Sequence, residues 1–309
     1  MPDYEMTTPV AFLIFNRPDT TKRVFSEIAR ARPPKLLIVA DGPREGRIGE
    51  VDYCKAARSV ATQVDWPCEV LTNFSDANLG CKKRISSGLN WVFDQVEEAI
   101  ILEDDCVPHS SFFRYCELLL QTYRGDERVM MIAGTNYLLD KAAIRESYFF
   151  SRYYSIWGWA TWRRAWRKYD IAMQDWNLLK AQGQLECFYS QPFVRKHMAR
   201  MFDKAANGTI DTWDIQWFYA CLFNNGLSAV PARNLVSNVG LEGTHTSGDR
   251  SNNDFPVFPF DVEHVIHPDR VAPSHLLDDR FFRNYFKGRF MKSLYHAVRT
   301  RIRGWGLRA

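Results

Sequence analysis

The sequence predicts an α/β fold built on a mostly parallel sheet with helices on both faces. Two observations predict it. Short apolar runs alternate with helical patterns four times in the first 130 residues, and polar residues collect where the apolar runs end. Such alternation is typical of parallel strands joined by crossover helices. Ligands of these sheets bind beyond the carboxyl ends of the strands, so the polar residues there mark the expected site.

The predicted elements follow in order along the chain. Buried strands read as short apolar runs, and the runs lie at 10–15, 36–40, 69–71, 99–102 and 129–133. Helical patterns cover 22–31, 50–63, 85–96 and 110–123, the first with a cap at 19–21. The second half is less regular: 148–176 is rich in aromatic residues, 186–226 has a helical pattern, and 231–254 is a loop rich in Gly, Asn, Ser and Thr.

Length and composition indicate one large globular domain with an extension. The chain has 309 residues, of which 46% are hydrophobic and 25% charged, as in ordinary soluble proteins. We predict a catalytic domain over 1–260 and a C-terminal helical extension over 261–309. Aromatic residues make up 14%, including ten Trp. They fit either a well-packed core or stacking platforms for a ring-shaped polar ligand, and composition does not choose between these.

Charge and cysteine usage narrow the function classes. The net charge of +4 is too small to indicate nucleic-acid binding. Seven Cys lie at irregular spacing without a C-x-x-C pair, which predicts reduced thiols rather than a disulfide framework or a zinc site. The first residues lack an apolar signal core, and no apolar run is long enough to span a membrane. We therefore expect a cytoplasmic protein, or one peripheral to the cytoplasmic face of the inner membrane.

Three consecutive acids follow the apolar run that ends at Leu102: Glu103, Asp104 and Asp105. Packing like charges side by side raises their pKa values and costs free energy. A divalent cation removes that cost, and hard carboxylate oxygens suit Mg²⁺ or Mn²⁺ bridging to substrate phosphates. A solvated acidic turn is the alternative. The buried strand before the acids and the helix after them favour a metal and nucleotide site.

Other polar residues follow the first two strands. Asn16 and Arg17 end the first strand, and Asp41 ends the second. Arg17 suits bidentate binding of phosphate, with a salt bridge to a neighbouring acid as the alternative. Asp41 suits a hydrogen bond from a base or ribose, with a turn Asp as the alternative. The basic run 82–84 precedes the third predicted helix, and a solvated basic face is its favoured interpretation over phosphate binding.

The order of these motifs resembles a GT-A glycosyltransferase, the nucleotide-diphospho-sugar transferase fold. The resemblance is nearest to inverting N-acetylglucosaminyltransferases of the type I family and to bacterial transferases of cell-surface polysaccharides. It covers most of residues 9–250. The matching pieces are Phe15-Asn16-Arg17, Val39-Ala40-Asp41-Gly42, Leu102-Glu103-Asp104-Asp105 with Phe112-Phe113, Gly158-Trp159, Trp213-Asp214-x-x-Trp217 and residues 231–245.

The resemblance implies a role for each acid. Asp105 would coordinate the metal, and Glu103 and Asp104 would contact the ribose and the donor sugar. Asp214 would be the catalytic base of an inverting transfer, in which the acceptor hydroxyl loses its proton as it attacks. The family's branching enzymes have two adjacent acids between the Trp residues, whereas here Asp214 stands alone there, with Asp211 just before. A cap at a helix N-terminus is the alternative for Asp214.

Two further segments enter through the same resemblance. Trp157, Gly158 and Trp159 match a segment that lines the donor-sugar or acceptor site, with core packing as the alternative. Residues 234–240 and 243–246 resemble the segment that closes over the donor in the bacterial transferases. His245 there would meet the pyrophosphate or complete the metal shell, although a lone loop His is more often plain surface. The resemblance also implies a UDP-sugar donor and a glycan or lipid-linked saccharide acceptor.

The last thirty residues form a basic amphipathic pattern. From Arg280 to the end there are nine Lys or Arg and no Asp or Glu, and aromatic residues recur at helical spacing. Such helices lie in membrane interfaces, so residues 280–309 are predicted to contact a membrane surface. The alternative is that the aromatic face docks on the catalytic domain.

Two rival functions remain open. A sugar-nucleotide pyrophosphorylase has similar metal chemistry but needs a Gly-rich loop after the first strand, where this chain has Asn16-Arg17-Pro18. A non-catalytic sugar-binding protein on the same fold is the other, because fold does not fix function. Donor hydrolysis or transfer with and without Mn²⁺ separates the binding protein from a transferase.

Overall fold

The computed structural model describes residues 5–138, 144–240 and 256–283. Its strands are β1 (Val10–Ile14), β2 (Lys35–Ala40), β3 (Glu69–Phe74), β4 (Glu98–Glu103), β5 (Cys106–Pro108), β6 (Val129–Ala133), β7 (Tyr148–Ser151), β8 (Trp159–Trp162), β9 (Leu227–Pro231) and β10 (Val236–Asn238). Its α-helices are α1 (Pro18–Ala31), α2 (Glu50–Ala61), α3 (Gly80–Gln95), α4 (Ser111–Thr122), α5 (Arg163–Trp166), α6 (Trp176–Ala181), α7 (Pro192–Ala206), α8 (Asp214–Phe223) and α9 (His275–Phe281), with a 3-10 turn at Gln184–Cys187.

The strands form one large sheet and one small ribbon. The sheet has eight strands in the order β3-β2-β1-β4-β8-β6-β9-β7, and β10 pairs with β5. Strands β3, β2, β1 and β4 are parallel neighbours. Strand β8 runs antiparallel between β4 and β6, and β7 runs antiparallel to β9. The predicted parallel sheet is therefore confirmed for the first half of the chain, while the second half adds antiparallel pairings.

Alternating side chains of the strands bury two layers against the helices. In β1, Val10, Phe12 and Ile14 pack with α1 and α4 on one face, and Ala11 and Leu13 pack with α3 and α8 on the other. All five are nearly inaccessible. A strand buried on both faces needs a continuous apolar run, which is why these strands were visible in the sequence.

A third apolar cluster extends the fold beyond the sheet. It joins α6, α7 and one side of α8 through large rings and Met198, and its members include Trp176, Phe202, Phe218 and Phe282. Helix α8 is apolar almost all round because it packs against the sheet on one side and this cluster on the other. The rigid placement of its N-terminus follows from that double burial.

Two helices begin earlier than the sequence pattern indicated. Helix α1 starts at Pro18 rather than after a cap at 19–21, because proline is favoured in the first turn, where no backbone donor is needed. Helix α3 starts at Gly80 rather than at Ile85. The basic run 82–84 is its first turn, and the expected solvated face is wrong for Arg84, which is 6% exposed. Its guanidinium donates to the carbonyls of Ala40 and Asn73.

Strands β7 and β8 lie in the aromatic-rich stretch where no strand was predicted. Their residues are aromatic and small polar, so they lack the aliphatic runs that marked the parallel strands. The helical pattern over 186–226 is confirmed in part, since α7 and α8 lie there with a break between them. All seven cysteines are free.

The described part of the predicted extension packs on the rest of the chain. Ser274 donates its backbone N–H to the carbonyl of Phe150 at 2.8 Å, and the carboxylate of Asp278 in α9 accepts from Ser151 in β7. Phe282 is buried in the third apolar cluster. Residues 284–309, and with them most of the predicted membrane-contact segment, lie outside the described residues. Within the described ranges, no helix combines the length and apolarity needed to cross a bilayer.

Candidate active site

The acid run lies at the carboxyl edge of the parallel strands. Glu103 is the last residue of β4, and the turn of Asp104 and Asp105 leads into β5. The carboxylate of Asp104 accepts the backbone N–H of Phe15, just after β1, at 2.9 Å. This bond joins the ends of the two central strands, so the predicted rim position of the acids is where the structure has them.

Asp105 is held between the first strand's loop and the ribbon. Its Oδ2 lies 3.0 Å from Nη1 of Arg17, and Nδ2 of Asn238 donates to its Oδ1 at 3.2 Å. The N–H of Val239 donates to its backbone carbonyl at 2.8 Å. Gly240 lies so close that a Cβ there would be 2.3 Å from Oδ2 of Asp105. A side chain at position 240 would therefore displace this carboxylate.

Burial and mutual repulsion raise the pKa values of two members of this acid run. Burial, followed by the charges of Asp105 and Asp104, raises the pKa of Glu103 well above its usual range. Burial, followed by the charge of Asp105, raises the pKa of Asp104 to about 7. The Arg17 guanidinium partly offsets both effects. A cation bound beside these carboxyls would offset the cost of holding their charges together.

Asn16 belongs to a polar network on the other side of β1. Its side-chain amide donates to Oε1 of Glu50 at 2.9 Å. Glu50 also accepts the backbone N–H of Arg44 at 2.6 Å and pairs with the Arg44 guanidinium. The hydrogen bond from Arg44 lowers the pKa of Glu50. Asn16 is thus fixed at the rim, and its expected contact with the nucleotide stays a prediction.

Asp41 fastens the start of α3 to the end of β2. Its carboxylate accepts the backbone N–H groups of Gly42, Leu79 and Gly80 at 2.9 to 3.1 Å, and the amide of Asn78 at 3.1 Å. It is 6% exposed, and burial raises its pKa. This is the capping of a helix N-terminus by a carboxylate from another element. The predicted contact with a base or ribose would have to share these oxygens.

Asp214 is the first residue of α8 and faces the second half of the site. The Tyr154 hydroxyl donates to its Oδ2 at 2.9 Å, and the Thr212 hydroxyl donates to its Oδ1. Its charge contributes to raising the pKa of Glu103, so the two carboxylates act within one electrostatic field. A role at the helix N-terminus and a role as catalytic base are compatible for Asp214. It is the first residue of α8 and also lines a cavity of about 230 Å³.

The three residues of the predicted aromatic segment differ in position. Trp157 is partly exposed and lines that cavity. Gly158 has a φ of +62°, and a Cβ there would be 2.7 Å from Val236 and 3.3 Å from Leu102, so glycine is required where β8 approaches the acid run. Trp159 is completely buried and stacks on Trp213 at 5.7 Å. The expectation that Trp159 contacts a ligand is therefore corrected, because its indole is packed in the core.

The described residues supply only part of the ligand set that a metal ion needs. Within residues 5–138, 144–240 and 256–283, no three His, Cys, Asp or Glu side chains are arranged around a common point for a metal ion. Asp105 is partly exposed, with a side-chain exposure of 17%. One or two carboxylates with substrate phosphates suffice for Mg²⁺, so the donor set fits an ion that arrives with a diphosphate. His245 lies outside the described residues.

Two residues beside Asp214 were not predicted as site residues: Tyr137 and Phe281. Tyr137 follows β6 and Phe281 ends α9, and both line the cavity that Asp214 lines. A motif at fixed spacing was available for Asp214 and the acid run, whereas nothing in the spacing of these two residues signals a shared location.

Comparisons with known proteins do not assign this chain to a family. No protein-family model matches the chain, and no curated protein matches it. Among solved structures, a crystal structure of UDP-glucose pyrophosphorylase complexed with UDP-glucose is similar, with 12% identity and a TM-score of 0.27 over 47% of this chain. The match spans 62% of that protein, less than two thirds of its length. A likeness at this level does not bear on the reaction of this chain.

Proposed function

We propose that this protein is a metal-dependent inverting glycosyltransferase that moves a sugar from a nucleotide-diphosphate donor, a UDP-sugar, to a hydroxyl of a glycan or glycolipid. The observation that carries the proposal is the acid run at the carboxyl edge of β4, where burial and then mutual repulsion raise the pKa values of Glu103 and Asp104. That edge is where α/β sheets bind nucleotides. Arg17 forms an ion pair with Asp105. The charge of Asp214 acts on Glu103.

Four residues of the donor side have assigned tasks. Arg17, half-exposed beside Asp105, neutralises the diphosphate through paired N–H donors. Asp105 would hold a divalent cation together with the donor phosphates, and that ion would supply Lewis-acid stabilisation of the charge on the leaving diphosphate. Glu103 and Asp104 contact the donor's ribose and sugar hydroxyls.

Asp214 acts on the acceptor side. Its carboxylate accepts the proton of the attacking hydroxyl as the new glycosidic bond forms and the bond from the anomeric carbon to the diphosphate breaks. The hydrogen bonds from Tyr154 and Thr212 orient the carboxylate. The neighbouring rings of Tyr154 and Trp157 line the same cavity and exclude water from the reacting atoms.

The testing experiment measures nucleoside diphosphate release from a panel of nucleotide sugars, with Mn²⁺, with Mg²⁺ and with a chelator. We expect cation-dependent turnover that Asp105→Ala lowers by about 10³-fold. Asp126→Ala is the matched control, since Asp126 forms a surface ion pair with Arg128 far from the rim and its loss should leave turnover unchanged.

Two results would overturn the proposal. Turnover that survives both chelation and Asp105→Ala would remove the metal from the reaction. Sugar or nucleotide binding without any turnover, unaltered by Asp214→Asn, would favour the non-catalytic binding protein.

A further inference from the structure

The cavity beside Asp214 is a chamber whose aromatic residues come from three parts of the chain. Tyr137 follows β6, the stretch from Tyr153 to Trp157 precedes β8, and Phe281 ends α9. The Phe281 ring stacks on Tyr153 at 4.8 Å and lies 5.6 Å from Tyr137. Tyr137 in turn meets Trp157 edge-on at 5.3 Å. The rings therefore form a continuous wall opposite the carboxylate.

The size of the cavity restricts its occupant. Its volume is about 230 Å³. At roughly 30 Å³ for each water molecule in the liquid, this is the space of about seven or eight solvent molecules, comparable to one pyranose ring with its hydroxyls. A pyranose has an apolar C–H face that packs on aromatic rings and a rim of hydroxyls that needs polar partners. The chamber offers both kinds of surface.

Besides its tyrosines, the described lining of the cavity includes two polar residues, Asp214 and Ser155. Asp214 supplies carboxylate oxygens. The Ser155 hydroxyl is the second: the residue is 4% exposed, and its Oγ has no hydrogen-bond partner among the described residues. A buried hydroxyl left unpaired is costly, and a ligand hydroxyl would satisfy it. An entirely apolar occupant would leave Ser155 unpaired.

The charge of the lining selects among sugars. Among the described residues that line the cavity, Asp214 carries the only formal charge. An anionic sugar would bring a second negative charge beside it, in a partly desolvated space where none of the described lining residues is a cation. Neutral sugars meet no such repulsion.

We infer that this chamber binds a neutral pyranose, the terminal unit of the acceptor saccharide, with its apolar face on the ring of Phe281 and its hydroxyls on Asp214 and Ser155. The assignment to the acceptor rests on the proposed function. The chamber adjoins the acid run, because Gly158, next to Trp157, lies against Leu102, the residue before Glu103. Phe281 is then a specificity-determining residue supplied by the C-terminal part of the chain.

The test is saturation-transfer NMR on the full chain, titrating neutral methyl hexopyranosides and the corresponding hexuronides without donor. We expect transfer to the neutral sugars and at least about tenfold weaker binding of the uronides. Phe281→Leu, which keeps apolar volume but removes the aromatic face, should weaken neutral-sugar binding by about threefold to tenfold. Ser155→Ala should have a similar effect through one lost hydrogen bond.

Phe193→Ala is the matched control, since this ring is 54% exposed and packs on Phe282 outside the chamber. It should leave sugar binding unchanged. Thermal unfolding of each variant confirms that the fold is retained, and Phe281→Tyr should restore binding. Absence of any neutral-sugar signal, equal binding of uronides, or insensitivity to both Phe281→Leu and Ser155→Ala would overturn the inference.

Failure of the inference is separable from failure of the proposed function. Cation-dependent turnover with no neutral-sugar binding in the chamber would leave the transferase and remove this acceptor site. Sugar binding that responds to Phe281→Leu, in a protein that turns over no nucleotide sugar, would keep the chamber as a pyranose site and remove the transferase.

Discussion

Along the parallel strands β1, β2 and β4 the carboxyl ends carry charged side chains, whereas the segment entering β8 carries aromatic ones. Both lie at one edge of the sheet, because Trp159 pairs with Ile101 of β4 and Ala133 of β6. Arg17 and Asp105 are ionic and partly exposed, while Tyr154 and Trp157 present rings to a cavity. The charged region suits a diphosphate, and the aromatic region suits an uncharged ring.

Asp214 interacts with the charged region through Glu103 and also lines the aromatic cavity. Its substitution is therefore the first test of the comparison. Asp214→Asn keeps the shape of the side chain but removes the proton acceptor, so we expect kcat to fall by about 10²- to 10⁴-fold with donor affinity nearly unchanged. Steady-state kinetics and donor titration check this. The control is Asp211→Asn, at an exposed position three residues earlier. An equal fall in kcat in this variant would contradict the assignment of Asp214 as the base.

Arg17 tests the charged region alone. Arg17→Lys keeps the positive charge but loses the planar pair of donors, so donor affinity should fall by about tenfold while neutral-sugar binding in the chamber is unaffected. Calorimetric titration with UDP and Mn²⁺ measures the first effect. Arg23→Lys on the exposed surface of α1 should change neither. If Arg17→Lys weakens sugar binding as well, the two regions are not separate.

Asp278 tests the support of the aromatic region, because it anchors the helix that carries Phe281. Burial raises its pKa from 3.8 to about 6 despite the hydrogen bond from Ser151. A raised folded-state pKa stabilises the fold at low pH, and this contribution is lost as pH rises from about 4 through about 6. The shift corresponds to about 3 kcal/mol.

The measurement compares the unfolding free energy of wild type and Asp278→Asn by denaturant titration across that pH range. Wild type should lose stability relative to the variant as pH rises. Asp279→Asn, at the exposed neighbouring position, should show the same pH dependence as wild type. Parallel curves for wild type and Asp278→Asn would contradict the burial of Asp278.

The parallel half of the fold was predictable because its strands are buried on both faces, so Val10–Ile14 and Lys35–Ala40 read as unbroken apolar runs. The acid run was predictable because it follows such a strand directly. The role of Arg84 was not, since a buried guanidinium bonded to carbonyls has the same sequence appearance as a solvated one. The chamber was hidden because Tyr137, Ser155 and Phe281 come together through packing, without a common motif.

The most direct test of the central claim is Mn²⁺ binding followed by electron paramagnetic resonance, with and without UDP, in wild type and Asp105→Ala. The account predicts that UDP strengthens Mn²⁺ binding to wild type, since one or two carboxylates need the phosphates to complete the ligand set, and that Asp105→Ala abolishes this strengthening. Equal UDP-dependent Mn²⁺ binding in both proteins would contradict it.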